Sequence, residues 1–328
     1  MDVTIAGIGA PYLEYPRKAC QDPSRGILGG SVAVALLHAA QLLRPRGLPV
    51  SLYGLRGNDP AGNRLVELLS RTSIHWDHFI QTPGETPQMH FARNNQPPRE
   101  ETGLQETRDI PEATYTPGVT EKFCLNHIPE TFYHHTITSF EATGTLAPLL
   151  PDLHKAVDRA RSAGALTIVH SASDTLLPRE GSLLGDLPLT CAATELLLLT
   201  EEQALILTGQ PDAPAAAENF LHLGVSAVII VATGGDIFFR TAGGTFLPLE
   251  ATLTTQPAPA YWEPFTGALA ASLAEQLDQG EQACDLHQAV RWGIATSEYC
   301  RTQGSALSSE HRPRDKRERI REIFLTIS

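Results

Sequence analysis

Val50-Ser51-Leu52-Tyr53-Gly54-Leu55-Arg56-Gly57-Asn58-Asp59-Pro60-Ala61-Gly62 is the stretch on which the fold turns. Its first residues form an apolar run suited to a buried strand, and glycines punctuate the turn that follows. Asp59-Pro60 then reads as a helix start, ahead of the amphipathic Asn63-Arg64-Leu65-Val66-Glu67-Leu68-Leu69. The unit is strand, turn, helix.

The same unit recurs on both sides. Toward the N-terminus, Val3-Thr4-Ile5-Ala6-Gly7-Ile8-Gly9 reads as a first buried strand, and Gly29-Gly30 opens a helix-forming segment from Ser31 to Ala40. Toward the C-terminus the alternation predicts a strand at 131–137, a helix around 153–163, strands at 165–170 and 195–200, a helix from Thr200 to Gly209, a strand at 226–231 and a helix at 265–276. This predicts an α/β fold with a doubly wound, mostly parallel sheet and helices on both faces. Residues 84–122 are polar and rich in Pro, Glu and Thr, and with residues 10–28 they read as lid segments of a single domain spanning 1–328.

The chain has 328 residues, 42% hydrophobic and 19% charged, with a formal net charge of -12. That balance repels nucleic acid and anionic membrane surfaces, so neither is expected as a partner. The dense basic cluster Arg312-Pro313-Arg314-Asp315-Lys316-Arg317-Glu318-Arg319 reads as a solvated helix face because acids interleave with it. Cys20, Cys124, Cys191, Cys284 and Cys300 are odd in number and widely spaced, indicating neither a disulfide framework nor a zinc site. His134-His135, His127 and His170 lack spaced acidic or cysteine partners, so no metal site is expected. Gly7-Ile8-Gly9 lacks the third glycine and helix start of a dinucleotide fingerprint. The N-terminus has no basic segment leading into an apolar stretch, and no apolar run reaches about 18 residues. A cytoplasmic protein is the expectation.

Gly29-Gly30 opening a helix, the G-x-x-G-x-D-x-x-G of Gly54 to Gly62, and Leu207-Thr208-Gly209 closing a helix occur in the order of the ribokinase (PfkB) family, which the chain resembles over nearly its whole length. Val228 to Gly234 is similar to the family strand that ends beside the nucleotide. Phe265-Thr266-Gly267 is similar to the helix starting at the catalytic residue. The resemblance implies a ribokinase-like sheet with a small β lid, transfer of the ATP γ-phosphate to a sugar or nucleoside hydroxyl, Mg2+ as cofactor, and a homodimer clasped through the lid.

It also implies a site. Phosphoryl transfer needs donors around the phosphate, a cation and a base for the accepting hydroxyl. The family's G-A-G-D cradle falls on Ala260, Tyr261, Trp262 and Glu263, which keeps a carboxylate as base but places an indole where glycine lets the phosphate approach. Pro257 and Pro259 stiffen the approach. Glu263-Pro264 reads equally as a helix start. The cation motif N-x-x-E falls on Thr200 and Gln203, which also form a capping-box pattern, with Glu201 and Glu202 adjacent. On the sugar side the implied positions are Glu14, Gly29, Gly30, Val34 and Asp59. Valine cannot hydrogen-bond through its side chain, and Asp59 also fits a helix cap. Gly234 lies on the nucleotide side, where Ile237 replaces a second glycine. Together these substitutions lead to a family-like protein that binds a small hydroxylated ligand with weakened or lost phosphotransfer. The alternatives are an active kinase using Glu263 and an interaction protein using the lid edge.

Overall fold

The computed structural model describes residues 2–15, 22–91, 113–171, 185–232, 234–254, 262–303 and 313–327. Ala260 and Tyr261 of the implied cradle lie outside them.

The main sheet contains β1 (Ile5–Ile8), β4 (Val50–Gly57), β5 (Ile74–His75), β6 (Phe79–Thr82), β9 (Ile137–Glu141), β10 (Leu166–His170), β11 (Leu196–Thr200), β12 (Ala227–Val231), β13 (Asp236–Thr241) and β14 (Glu250–Thr254). Their order is β14-β13-β12-β11-β10-β9-β1-β4-β5, with β6 also pairing β4. Pairing is parallel from β5 to β12 and antiparallel across β12, β13 and β14. The central strands are buried throughout, and the run Ala227-Val228-Ile229-Ile230-Val231 is apolar at every position. Such runs are what a sheet covered on both faces requires.

One face packs on α1 (Ser31–Leu43), α2 (Pro60–Ser70), α7 (Trp262–Asp278), α8 (Leu286–Gln303) and α9 (Pro313–Thr326). The other packs on α3 (Leu153–Ser162), α4 (Leu187–Ala193), α5 (Glu201–Thr208) and α6 (Ala213–His222). A second, four-stranded sheet has the order β3-β2-β7-β8, from β2 (Tyr12–Tyr15), β3 (Ile27–Gly29), β7 (Gln88–Phe91) and β8 (Ala113–Thr116). Two antiparallel pairs are joined in it by the parallel pair β2–β7. The expected doubly wound sheet and small β-sheet are both present.

Two local expectations change. Residues 131–137 are not a strand: Glu130–His134 form a 3-10 turn, and β9 begins only at Ile137. The Phe132 N–H bonds the Pro129 carbonyl at 3.0 Å and the His135 N–H the Phe132 carbonyl at 3.5 Å, so these backbone groups close turns three residues apart instead of joining a ladder, with Phe132 and Tyr133 both buried. The basic tail is a solvated face only in part: Glu318 and Arg319 are exposed, but the two residues before them are docked. Lys316 is buried, with Nζ 3.1 Å from His38 Nδ1 and a hydrogen bond to Gln41 Oε1. Arg317 pairs with Glu275 at 2.6 Å and donates to the Leu42 carbonyl. The charges interleave because one side of α9 docks on α1 and α7.

Among the described residues no helix is long and apolar enough to cross a membrane. Nor does any group of three His, Cys, Asp or Glu side chains stand ready to hold a metal ion. Cys124, Cys191, Cys284 and Cys300 are free thiols.

Candidate active site

Strand order fixes where a site can form. The chain passes from β1 through α1 to β4 on one side, and β9 joins β1 on the other, so the direction of winding reverses between β1 and β9. Open α/β sheets bind ligands outside the carboxyl ends of their strands at such a reversal. Gly9 and Glu141 stand there, each one residue beyond the last β1–β9 register pair, Ile8 with Phe140.

Glu141 is 2% exposed. The Thr143 hydroxyl donates to its Oε1 at 2.8 Å and the Thr145 hydroxyl at 3.2 Å, while Oε2 has no hydrogen-bond partner. A Cβ on residue 9 would lie 2.9 Å from that Oε2 and 2.6 Å from Val32 Cβ, so glycine is needed for the carboxylate to reach the start of α1. Burial raises the Glu141 pKa to about 7, against the lowering effect of the two threonines and the nearby Ala10 and Val32 N–H groups. Sequence reading did not single out Glu141; an acid ending an apolar strand before Ala142-Thr143 was the available signal.

Glu263 lies in the first turn of α7, partly exposed, and Glu14 sits on β2. Burial and the charge of Glu263 raise the Glu14 pKa, and burial raises that of Glu263. The two carboxylates, remote in sequence, are therefore within electrostatic reach. Helix α7 starts at Trp262, so Pro264 is its third residue and not its first. The Trp262 indole packs against the core with its ring 6.1 Å from that of Phe265, and its Nε1–H has no hydrogen-bond partner.

Gly30 is the N-cap of α1 with φ 101°, and a Cβ there would lie 2.7 Å from the Ala10 carbonyl oxygen. Only glycine takes this conformation and contact without strain. Gly29 ends β3 beneath the Tyr12 ring. Val34 is buried in the first turn of α1, its N–H bonded to Gly30 O at 3.0 Å.

Asp59 is fully engaged as a cap. Oδ1 accepts the Gly62 N–H at 2.9 Å and the Thr86 hydroxyl, and Oδ2 accepts the Thr86 N–H at 3.1 Å. Burial acts to raise its pKa, but these hydrogen bonds outweigh it and hold the group below the ordinary aspartate value. Asp59→Ala is expected to cost roughly 1–2 kcal/mol in a urea titration, as lost helix caps do. A change below about 0.3 kcal/mol would show that the cap is dispensable.

Thr200 and Gln203 form a reciprocal capping box. Gln203 N–H donates to Thr200 Oγ1 at 3.3 Å, Thr200 N–H donates to Gln203 Oε1 at 3.0 Å, and Gln203 Nε2 donates to Ser171 Oγ at 3.2 Å. Both side chains are neutral and already satisfied, so the pair does not suit the carboxylate-and-water shell of Mg2+. Glu201 and Glu202 occupy the next two positions, in the first turn of α5. Gly234 lies exposed in the β12–β13 turn with nothing within 4 Å of a Cβ added there, and Ile237 is buried on β13 opposite Val231. The structure thus sets Glu14 within electrostatic reach of Glu263, and Gly29 and Gly30 at the start of α1, where Glu141 nears the Val32 N–H. It leaves Asp59, Thr200 and Gln203 in structural roles.

No family profile and no curated protein sequence matches the chain. Solved structures do. A ribokinase from Giardia lamblia superposes with a TM-score of 0.72 at 13% identity, covering 100% of both chains. A ribokinase from Thermotoga maritima gives 0.68 at 16%, covering 99% of this chain and 100% of its own. A fructokinase from Xylella fastidiosa with bound ATP gives 0.68 at 15%, covering 98% and 99%. At these identities the likeness establishes a ribokinase-like fold.

Proposed function

We propose that this ribokinase-like chain binds a small hydroxylated molecule, of sugar or nucleoside type, at the carboxyl edge of its sheet, with phosphotransfer weakened or lost. The observation that carries the reading is a division within the site. Of the carboxylates that could accept hydrogen bonds from ligand hydroxyls, Glu14 lies within electrostatic reach of Glu263, and both, with Glu141, lie within reach of the Tyr12 phenol. The pair at the cation position, Thr200 and Gln203, is closed on itself. Glu141 Oε2, with the Ala10 and Val32 N–H groups nearby but no close hydrogen bond, keeps acceptor capacity that favours a ligand able to donate.

A second reading is supported by Glu263, a carboxylate in the first turn of α7 with a raised pKa, as a general base needs. In that case the chain is an ATP-dependent carbohydrate or nucleoside kinase. ATP would sit beside Gly234 and supply the phosphoryl group, and Glu263 would take the proton of the accepting hydroxyl.

Nucleotide binding and turnover separate the two. Saturation at 100 times the dissociation constant adds roughly 2.7 kcal/mol to stability. Millimolar ATP with Mg2+ is expected to leave the melting temperature unchanged, while a polyol or nucleoside from a broad panel raises it. ADP release with any panel member, abolished in Glu263→Gln, would overturn the first reading in favour of the second.

A further inference from the structure

We propose that Tyr12 determines what this cleft accepts, its phenol standing where a ligand hydroxyl would stand, so that a polyol or nucleoside enters only by displacing it. The inference rests on the ligand-binding reading and adds the residue that restricts it.

Tyr12 is the first residue of β2, paired directly with Gly29 of β3. Its ring lies flat over that glycine: a Cβ at position 29 would fall 2.3 Å from Cε2 and 2.7 Å from Cδ2, a separation real Cβ atoms do not adopt. Gly29 is therefore needed as much to seat this ring as to open α1. The ring meets Tyr115 of β8 edge to face, with centroids 5.8 Å apart and planes at 68°, so two strands of the small sheet contribute phenols to one contact.

Cζ, which carries the hydroxyl, would lie 3.1 Å from a Cβ on Gly29, so the hydroxyl end sits next to Gly30 at the N-cap of α1. It is coupled to the charges of Glu14, Glu141 and Glu263, and the Gly30 N–H at the N-cap of α1 lies beside it. Tyr115 also feels the charge of Glu141. Burial and these carboxylates raise the pKa of Tyr12, so the phenol is present as O–H, a donor among acceptors. A hydroxyl beside the Gly30 N–H, set among carboxylates on β2, β9 and α7, is the environment a sugar hydroxyl would need. Here a side chain of the chain itself supplies it.

On β2, Glu14 shares the face of Tyr12, and Leu13 and Tyr15 point the other way into buried positions. A side chain at position 12 can therefore only lie over Gly29 or swing out with the strand. Displacing a well-seated ring that an incoming ligand must replace lowers apparent affinity by the fraction of time the site is open. Truncating Tyr12 should therefore raise affinity, the reverse of what truncating a ligand-contacting residue does.

The test compares wild type with Tyr12→Ala and Tyr12→Val, the second keeping a strand-forming side chain. Folding is checked by thermal melting, and D-ribose, D-fructose and adenosine are titrated calorimetrically. The expected result is at least one probe binding about tenfold tighter or more to a folded variant than to wild type. Equal or weaker binding by the variants overturns the role of Tyr12 and leaves the ligand-binding reading standing. Absence of binding to wild type and variants alike overturns both. If neither variant folds, Tyr12 is a core residue and the proposal fails on that ground.

Discussion

Gly267→Ala is expected to destabilise the chain by about 3 kcal/mol, the upper end of what overpacking of a core costs. Taken alone, alanine is the better helix former by up to about 1 kcal/mol, and Gly267 lies inside α7. Packing reverses the sign. A Cβ at this position would stand 2.1 Å from the Ala35 carbonyl oxygen and 2.9 Å from its carbon. The obstacle is backbone of α1, whose residues are buried along its whole length, so no flexible side chain can turn aside. The helices must separate. Their N-termini carry Gly30 and Glu263, so the same substitution should also weaken any ligand binding at the cleft. Gly234→Ala is the control: nothing lies within 4 Å of its Cβ, and its effect should stay within about 0.5 kcal/mol. Urea midpoints of the two variants that coincide would show that α1 and α7 have room this contact denies.

That contact marks what could be read from the sequence. Gly29-Gly30, the turn around Asp59 and the Thr200 cap are local signals, in which a short run of residues dictates a backbone shape, and each structural role is where the sequence places it. Contacts across the chain are different. Nothing in the residues around position 267 shows that Ala35 will press on it, and nothing near position 316 shows that Lys316 will be buried against His38 and Gln41. Glu141 escaped for a related reason. Taking 131–137 as the strand ends it where β9 begins, which moves the carboxyl edge of the sheet away from the acid. Tyr12 lies one alternation before Glu14 on the same face, so a reading that follows acids along β2 passes over the phenol between them and Gly29. The fold was legible because its signals repeat; the site was only partly so because it is assembled from β2, β9, α1 and α7.

Glu141→Gln should change stability by an amount that depends strongly on pH, and the direction follows from where the group titrates. Its ordinary value is 4.5 and burial raises it to about 7. Between those values the folded chain keeps a proton that the unfolded chain has released, so this group's contribution is present below pH 4.5 and lost as pH rises through 7. His170 and His135 act in the opposite sense. Both are lowered by burial from 6.5 to about 4, His135 also by His78 and His134. His170 is fully buried with neither ring nitrogen hydrogen-bonded. Their contribution is present above 6.5 and lost as pH falls through 4, so in wild type the histidines and Glu141 oppose each other over the same window. Glutamine removes one side of that opposition while retaining an oxygen for the Thr143 and Thr145 hydroxyls. Relative to wild type, the variant should gain roughly 3 kcal/mol between pH 4 and pH 8, since each tenfold difference in proton affinity between folded and unfolded chain is worth about 1.4 kcal/mol. Urea titrations of both proteins at the two pH values measure this double difference, in which the unchanged histidines cancel. A double difference near zero would mean that Glu141 stays ionised in the folded chain. It would then need a positive partner that neither the threonines nor the N-terminus of α1 provides.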